Sequence, residues 1–171
     1  GYSVSINQVI FQQPGLLVPR MSGDHTRHRI HGVTVFYDQY TRFSYSYLQC
    51  SMRTAETIAS KTAYKKYAET FGVQVQIYHA DNGRFSELAF SQAVMITNQK
   101  ITFCGVGSHH QNGLVELHIQ QLTAITCTLI LYDKQRWHVA ISTIPWPYAW
   151  KTSEMRHTTY RFCDGKSHMQ K

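Results

Sequence analysis

Acidic side chains are scarce in this sequence: 10 Asp and Glu stand against 17 Lys and Arg, a formal excess of +7 and a pI near 9.3. That balance favours non-specific attraction to polyanions, with DNA or RNA the expected ones. Cysteine is also sparse. The four Cys are scattered without a Cys-x-x-Cys pair, which argues against a disulfide framework or a zinc ribbon and for buried, reduced thiols. No apolar run reads as a signal peptide or as long enough to cross a bilayer, and there is no internal repeat or low-complexity tract.

What the sequence does have is enough apolar material, 43% of 171 residues, for the core of one domain. Val73 to Ile77 alternates apolar and polar side chains, the period of a half-buried strand, and runs into Asp81-Asn82-Gly83. Asp-Asn-Gly alone is ordinary turn chemistry. At the end of a strand, however, it puts a carboxylate where α/β sheets usually hold ligands. A second element follows 35 positions later. Gln111-Asn112-Gly113-Leu114-Val115-Glu116 opens a long helical pattern in which Val115, Ile119, Leu122 and Leu129 form one stripe, and Glu116, Gln120 and Thr123 a polar one.

Asp-Asn-Gly followed at this interval by Gln-Asn-Gly-x-x-Glu resembles the catalytic core of retroviral-type integrases, in the form carried by copia-type retrotransposons. The resemblance covers about residues 1–150. Thr34 to Phe43 looks like that family's hairpin, Thr102 to Val106 like the strand before its active-site loop, and Trp146-Pro147-Tyr148-Ala149 like a helix start. It implies a ribonuclease H-like α/β fold: a mixed five-stranded sheet, three antiparallel strands then two parallel, with helices on both faces.

The order of elements agrees. Tyr2 to Ile10 reads as a first strand ended by Pro14-Gly15, and Val33–Tyr37 with Phe43–Gln49 as a hairpin. A helix from an N-cap at Thr54 to about Thr70 is stopped by Gly72, and its Lys61, Lys65 and Lys66 read as a solvated face. The strand ending at Asp81 follows, then a helix over 86–97, a strand over 101–104, the Glu116 helix, a short helical piece over 137–142 and a last helix from Ala149 to about His157. Residues 12–31 read as a basic insertion between the first two strands. Its His25, His28 and His31 have metal-like spacing but lack a Cys or an acidic cluster nearby. The domain is expected over 1–160, with a tail over 161–171. Lacking an initiator Met, the chain reads as a piece of a longer soluble, intracellular polyprotein that acts in the nucleus.

The resemblance implies cutting and joining of DNA phosphodiesters with up to two Mg²⁺ or Mn²⁺ ions, which prefer hard oxygen ligands. Asp81 and Glu116 supply two of the family's three carboxylates. The third position falls on Asn7, a neutral amide, so the site is expected to be catalytically impaired and its second ion weakly held. Arg20, Arg27, Arg29, Asn112 and Gln120 are the candidate DNA contacts, although Leu117 and His118 stand where the family tends to be basic. The implied partners are DNA and further copies of the chain, with no membrane and no small-molecule substrate. Two other readings compete. One is a non-catalytic nucleic-acid-binding or oligomerising module of the same fold. The other is an unrelated hydrolase or nuclease in which Asp38 or a histidine such as His79 supplies the missing group, although Asp38, in a hairpin, reads as structural.

Overall fold

The computed structural model describes residues 3–17, 28–105, 112–136 and 145–163. Five strands form one sheet: β1 (Ser3–Leu17), β2 (His28–Asp38), β3 (Ser44–Gln49), β4 (Ile77–Ala80) and β5 (Lys100–Phe103), in the spatial order β3-β2-β1-β4-β5. The β1–β2 and β2–β3 pairs are antiparallel, while β4 lies parallel to both β1 and β5. Helices α1 (Thr54–Glu69), α2 (Leu88–Ile96), α3 (Gly113–Arg136) and α4 (Trp146–Cys163), with a 3-10 turn at Arg84–Ser86, complete the described elements.

Strand alternation sends successive side chains to two separate cores. Val4, Ile6, Phe36, Tyr78 and Ala80 meet Tyr64 and Ala68 of α1 and Phe90 and Val94 of α2. On the opposite face Val33, Val35 and Tyr37 meet Val115 and Leu122 of α3 and Trp146 and Trp150 of α4. The sheet is therefore a three-layer sandwich filling. This is the ribonuclease H-like arrangement expected from the order of elements.

Several local expectations are corrected. β1 does not stop at Pro14-Gly15 but continues to Leu17, re-pairing with β2 after a register shift between Ile10 and Gly15. A bulge accommodates Pro14, which has no N–H to offer a ladder. Residues 12–17 and 28–31 thus belong to a long hairpin and not to an insertion. At the start of α1, Arg53 takes the capping position without a side-chain bond. Thr54 is already helical and gives its hydroxyl to Glu87, while Glu56 accepts from the Cys50 and Ser51 amides. Gly72 does end the helix, at φ +70°.

Lys61 is not on a solvated face. It is 1% exposed and donates from Nζ to the Ala93 carbonyl at 2.9 Å and to Thr97 Oγ1 at 2.6 Å, closing the last turn of α2. α3 is long and apolar enough to cross a membrane by length and composition alone. The expectation of no such stretch is corrected, and the helix packs Val115, His118, Leu122 and Thr126 as buried residues. The last helix starts at Trp146, earlier than expected. The expected helical piece over 137–142 and residues 164–171 of the tail lie outside the described residues.

Candidate active site

The parallel register of β1 and β4 ends at Ile6 opposite Ala80, so the next residue on each strand is Asn7 and Asp81. Paired strands run about 4.7–4.9 Å apart, which makes these two close neighbours. They also share a face. Asn7 pairs with Val35, a member of the core beneath α3 and α4, and Asp81 alternates with the inward-facing Ala80 and Tyr78 of the other core. Both side chains are half-buried. Asn7 lies within β1, which runs on past it, and it is β4 that leaves the sheet there.

Glu116 comes from α3, which lies over the same face. The helix start is anchored by Asn112, whose Nδ2 donates to the Ile6 carbonyl at 3.1 Å, one residue before Asn7. Glu116 stands one turn further along, on the same side of the helix as Asn112. A third residue reports on the two carboxylates. Burial pushes the Cys104 thiol pKa up, and the charges of Asp81 and then Glu116 push it further in the same direction. The charges of both carboxylates thus reach the residue that follows β5.

The surrounding turns are held by their own side chains. Asp81 Oδ1 accepts from the Asn82 amide at 2.7 Å, and Asn82 Nδ2 donates to the Cys104 carbonyl at 2.7 Å, tying the loops after β4 and β5 together. Asn7 Oδ1 accepts from the amide of Gln8 at 2.8 Å. As a donor set, two carboxylates and an amide oxygen are all hard oxygen and suit Mg²⁺ or Mn²⁺, but two negative charges suit one ion better than two. Among the described residues, no three His, Cys, Asp or Glu side chains are grouped closely enough to cage a metal.

The other sequence candidates are distributed differently. Asn112 is 1% exposed and occupied with Ile6, so its expected DNA contact is corrected to an internal anchor. Gln120 and Arg29 are exposed, and Arg20 and Arg27 lie outside the described residues. His118 is buried, tilted against the Tyr37 ring and edge-on to His157, while Leu117 is exposed. Asp38 lies on the opposite face from Asp81. It pairs with Val4, bears on the Tyr64 phenol of α1, and accepts from the Tyr40 and Thr41 amides in the hairpin turn.

Sequence reading missed two features. Cys104 and Thr102 share the face of Asp81, a placement legible in their alternation with Ile101 and Phe103, which pack on the other core. An open cavity of about 550 Å³ beside Ile10 of β1 is lined by His31, Cys50, Arg53, Arg84 and Glu87 among others, at the amino end of α1. Its two guanidiniums come from segments distant in sequence.

No protein-family model matches the sequence, and no curated protein does. Solved structures do. The chain superposes on the HTLV-2 integrase catalytic core domain in complex with magnesium, in its dimeric form, with TM-score 0.60 and 13% identity over 92% of this chain and 86% of that one. The trimeric form gives TM-score 0.57 and 13% identity over 92% and 84%. A chain of the simian T-cell lymphotropic virus intasome, in complex with PP2A regulatory subunit B56 gamma, gives TM-score 0.60 and 14% identity over 88% of this chain. This protein spans about half of that longer chain, 47%. At such identities the likeness is one of fold, and the fold is that of a retroviral integrase catalytic core.

Proposed function

We propose that this domain is the integrase core of a copia-type retrotransposon polyprotein, built to process and join DNA ends, and impaired by Asn7. The observation that carries the reading is the placement of Asn7 beside Asp81 on neighbouring strands, with the start of the Glu116 helix tied to Ile6 by Asn112. The copia-type assignment rests on the Asp-Asn-Gly and Gln-Asn-Gly-x-x-Glu motifs, and action on nuclear DNA follows from that class of element.

Asp81 and Glu116 would hold a Mg²⁺ or Mn²⁺ ion, with the Asn7 amide oxygen as a neutral third donor. Such an ion supplies charge stabilisation of the attacking and leaving oxygens of a phosphodiester. The protein's part is to hold the carboxylates in place, Asp81 by its own turn and Glu116 through the Asn112 anchor. Arg53 and Arg84, around the cavity at the amino end of α1, offer positive charge for a phosphate backbone. Self-association of the full-length protein accords with the dimeric and trimeric forms of the structural neighbours.

The test compares this chain with Asn7→Asp for nicking and joining of DNA ends in Mg²⁺ and Mn²⁺. Activity that appears in Asn7→Asp and is absent or at least about tenfold lower here supports an impaired integrase. Equal activity in both removes the impairment. Inactivity in both, with DNA binding retained, favours the second reading, a non-catalytic nucleic-acid-binding module, for which the neutral amide at position 7 is the favouring observation.

A further inference from the structure

Beside the carboxylates stands a pair of softer donors. Cys104 Sγ lies 3.5 Å from His79 Nε2, and His79 Nδ1 lies 2.9 Å from Thr102 Oγ1. The hydrogen bonds set the imidazole tautomer. Thr102 gives its single hydroxyl proton to the Tyr78 carbonyl at 3.2 Å, so toward His79 it accepts, and Nδ1 carries the ring proton. The lone pair of Nε2 is then directed at Cys104. An imidazole held by an Nδ1–H bond, with Nε2 free to donate, is the usual state of a metal-bound histidine.

The spacing fits as well. A cation with Zn–N about 2.0–2.1 Å and Zn–S about 2.3 Å at the tetrahedral angle separates the two donor atoms by roughly 3.5 Å. Asp81 follows His79 by two residues, just past the end of β4, and its charge already reaches the Cys104 thiol. Among the described residues β5 is an edge strand and Thr102 is exposed, Cys104 is buried, and α3 and α4 pack over β1, β2 and β3.

We infer that His79 and Cys104 form the two-donor nucleus of a site for a borderline-soft divalent cation of the zinc class; Asp81 is not grouped with them as the side chains stand, so the shell is completed by water and by rotation of the Asp81 carboxylate once the cation is bound. Binding exchanges the thiol proton for the cation and releases that proton to solvent, with no change of oxidation state. Hard Mg²⁺ has little affinity for a thiolate and an imidazole, so the pair selects against it. Asp81 is shared with the proposed Mg²⁺ site. On that reading, zinc-class ions would withdraw it from Glu116 and inhibit the reaction.

The experiment titrates the whole 171-residue chain with Co²⁺ and follows the near-ultraviolet thiolate-to-cobalt absorption. A band saturating at one ion per chain, bleached by Zn²⁺ and weakened but not abolished by excess Mg²⁺, which competes only for Asp81, is the expected result. It should vanish in Cys104→Ser and weaken in His79→Gln, and survive in a triple variant with Cys50, Cys127 and Cys163 changed to Ser. Far-ultraviolet circular dichroism checks that each variant is folded. A band that persists in a folded Cys104→Ser chain, or none in the unaltered one, overturns the site. Because this readout needs no DNA, it fails independently of the proposed function: a band in a chain whose Asn7→Asp form is inactive keeps the cation site and removes the integrase reading, and the converse result does the reverse.

Discussion

Asn112 Nδ2 donates to the main-chain carbonyl of Ile6 at 3.1 Å, and through that one bond the first turn of α3 is pinned to β1 immediately before Asn7. Both residues are buried, so the bond is made away from water, where its loss leaves the Ile6 carbonyl without that donor. Asn112→Ala is expected to lower stability by about 1–2 kcal/mol, read as a shift in the urea midpoint at unchanged slope. Affinity of the folded variant for DNA should stay within about twofold, and metal affinity should fall as Glu116 loosens. The opposite pattern, intact stability with weakened DNA binding, would return Asn112 to the DNA surface.

Lys61 makes stability depend on pH in an unusual direction. Burial, then the charge of Lys65, lowers its pKa to about 8, whereas an unfolded lysine titrates near 10.4. Between about pH 8 and that value the unfolded chain binds more protons, so stability rises with pH, by on the order of 3 kcal/mol at most from this group. The rise is cut short above about pH 10, because Tyr64 and Tyr78 have pKa values raised chiefly by burial and resist ionising in the fold. Denaturation midpoints at closely spaced pH values should climb from pH 8 and then turn over. Lys61→Met should flatten the climb and leave the turnover.

Gly15 has no room for a side chain. A Cβ there would stand 2.4 Å from Pro147 Cγ and 2.6 Å from Trp146 Nε1, the indole that donates to the Gln13 carbonyl. Gly15→Ala should cost about 1–3 kcal/mol by pushing α4 off the hairpin, visible as a lower thermal midpoint. The fluorescence of Trp146, stacked on Phe11 with ring centroids 3.8 Å apart, should change with it. Co²⁺ binding should not change, and a loss there would mean that the hairpin and the site are mechanically coupled.

DNA binding, where it occurs, should be electrostatic. The chain carries a formal +7, and Arg29, Arg53 and Arg84 are exposed. Affinity should fall linearly in a plot of log K against log salt, and Arg84→Ala should reduce the slope by about 1 while weakening all duplexes alike. Strong preference for one duplex over its scrambled counterpart would count against this.

Linear pattern alone was enough for the elements that alternate or repeat. Val4-Ile6, Val33-Val35 and Tyr78-Ala80 announce strands through their period of two, Gly72 announces a helix end through its left-handed backbone, and Asp81 and Glu116 stand out through motif and interval. These signals are local, since each depends on residues within a few positions. What the tertiary structure decided involves partners far apart in sequence. Lys61 looks like one of three helical lysines until α2 brings a carbonyl and a hydroxyl to it. Asn112 looks like a DNA contact until Ile6, 106 positions away, takes its proton. The hairpin continues through Pro14 because β2 re-pairs beyond the bulge, a gain that no single-strand propensity contains. His79 and Cys104 become a pair only because β4 and β5 lie in parallel register, with Thr102 supplying the third group that orients the ring. Hydrogen bonds and burial between distant segments carry free energies as large as the local preferences they override, and they exist only once the sheet is assembled.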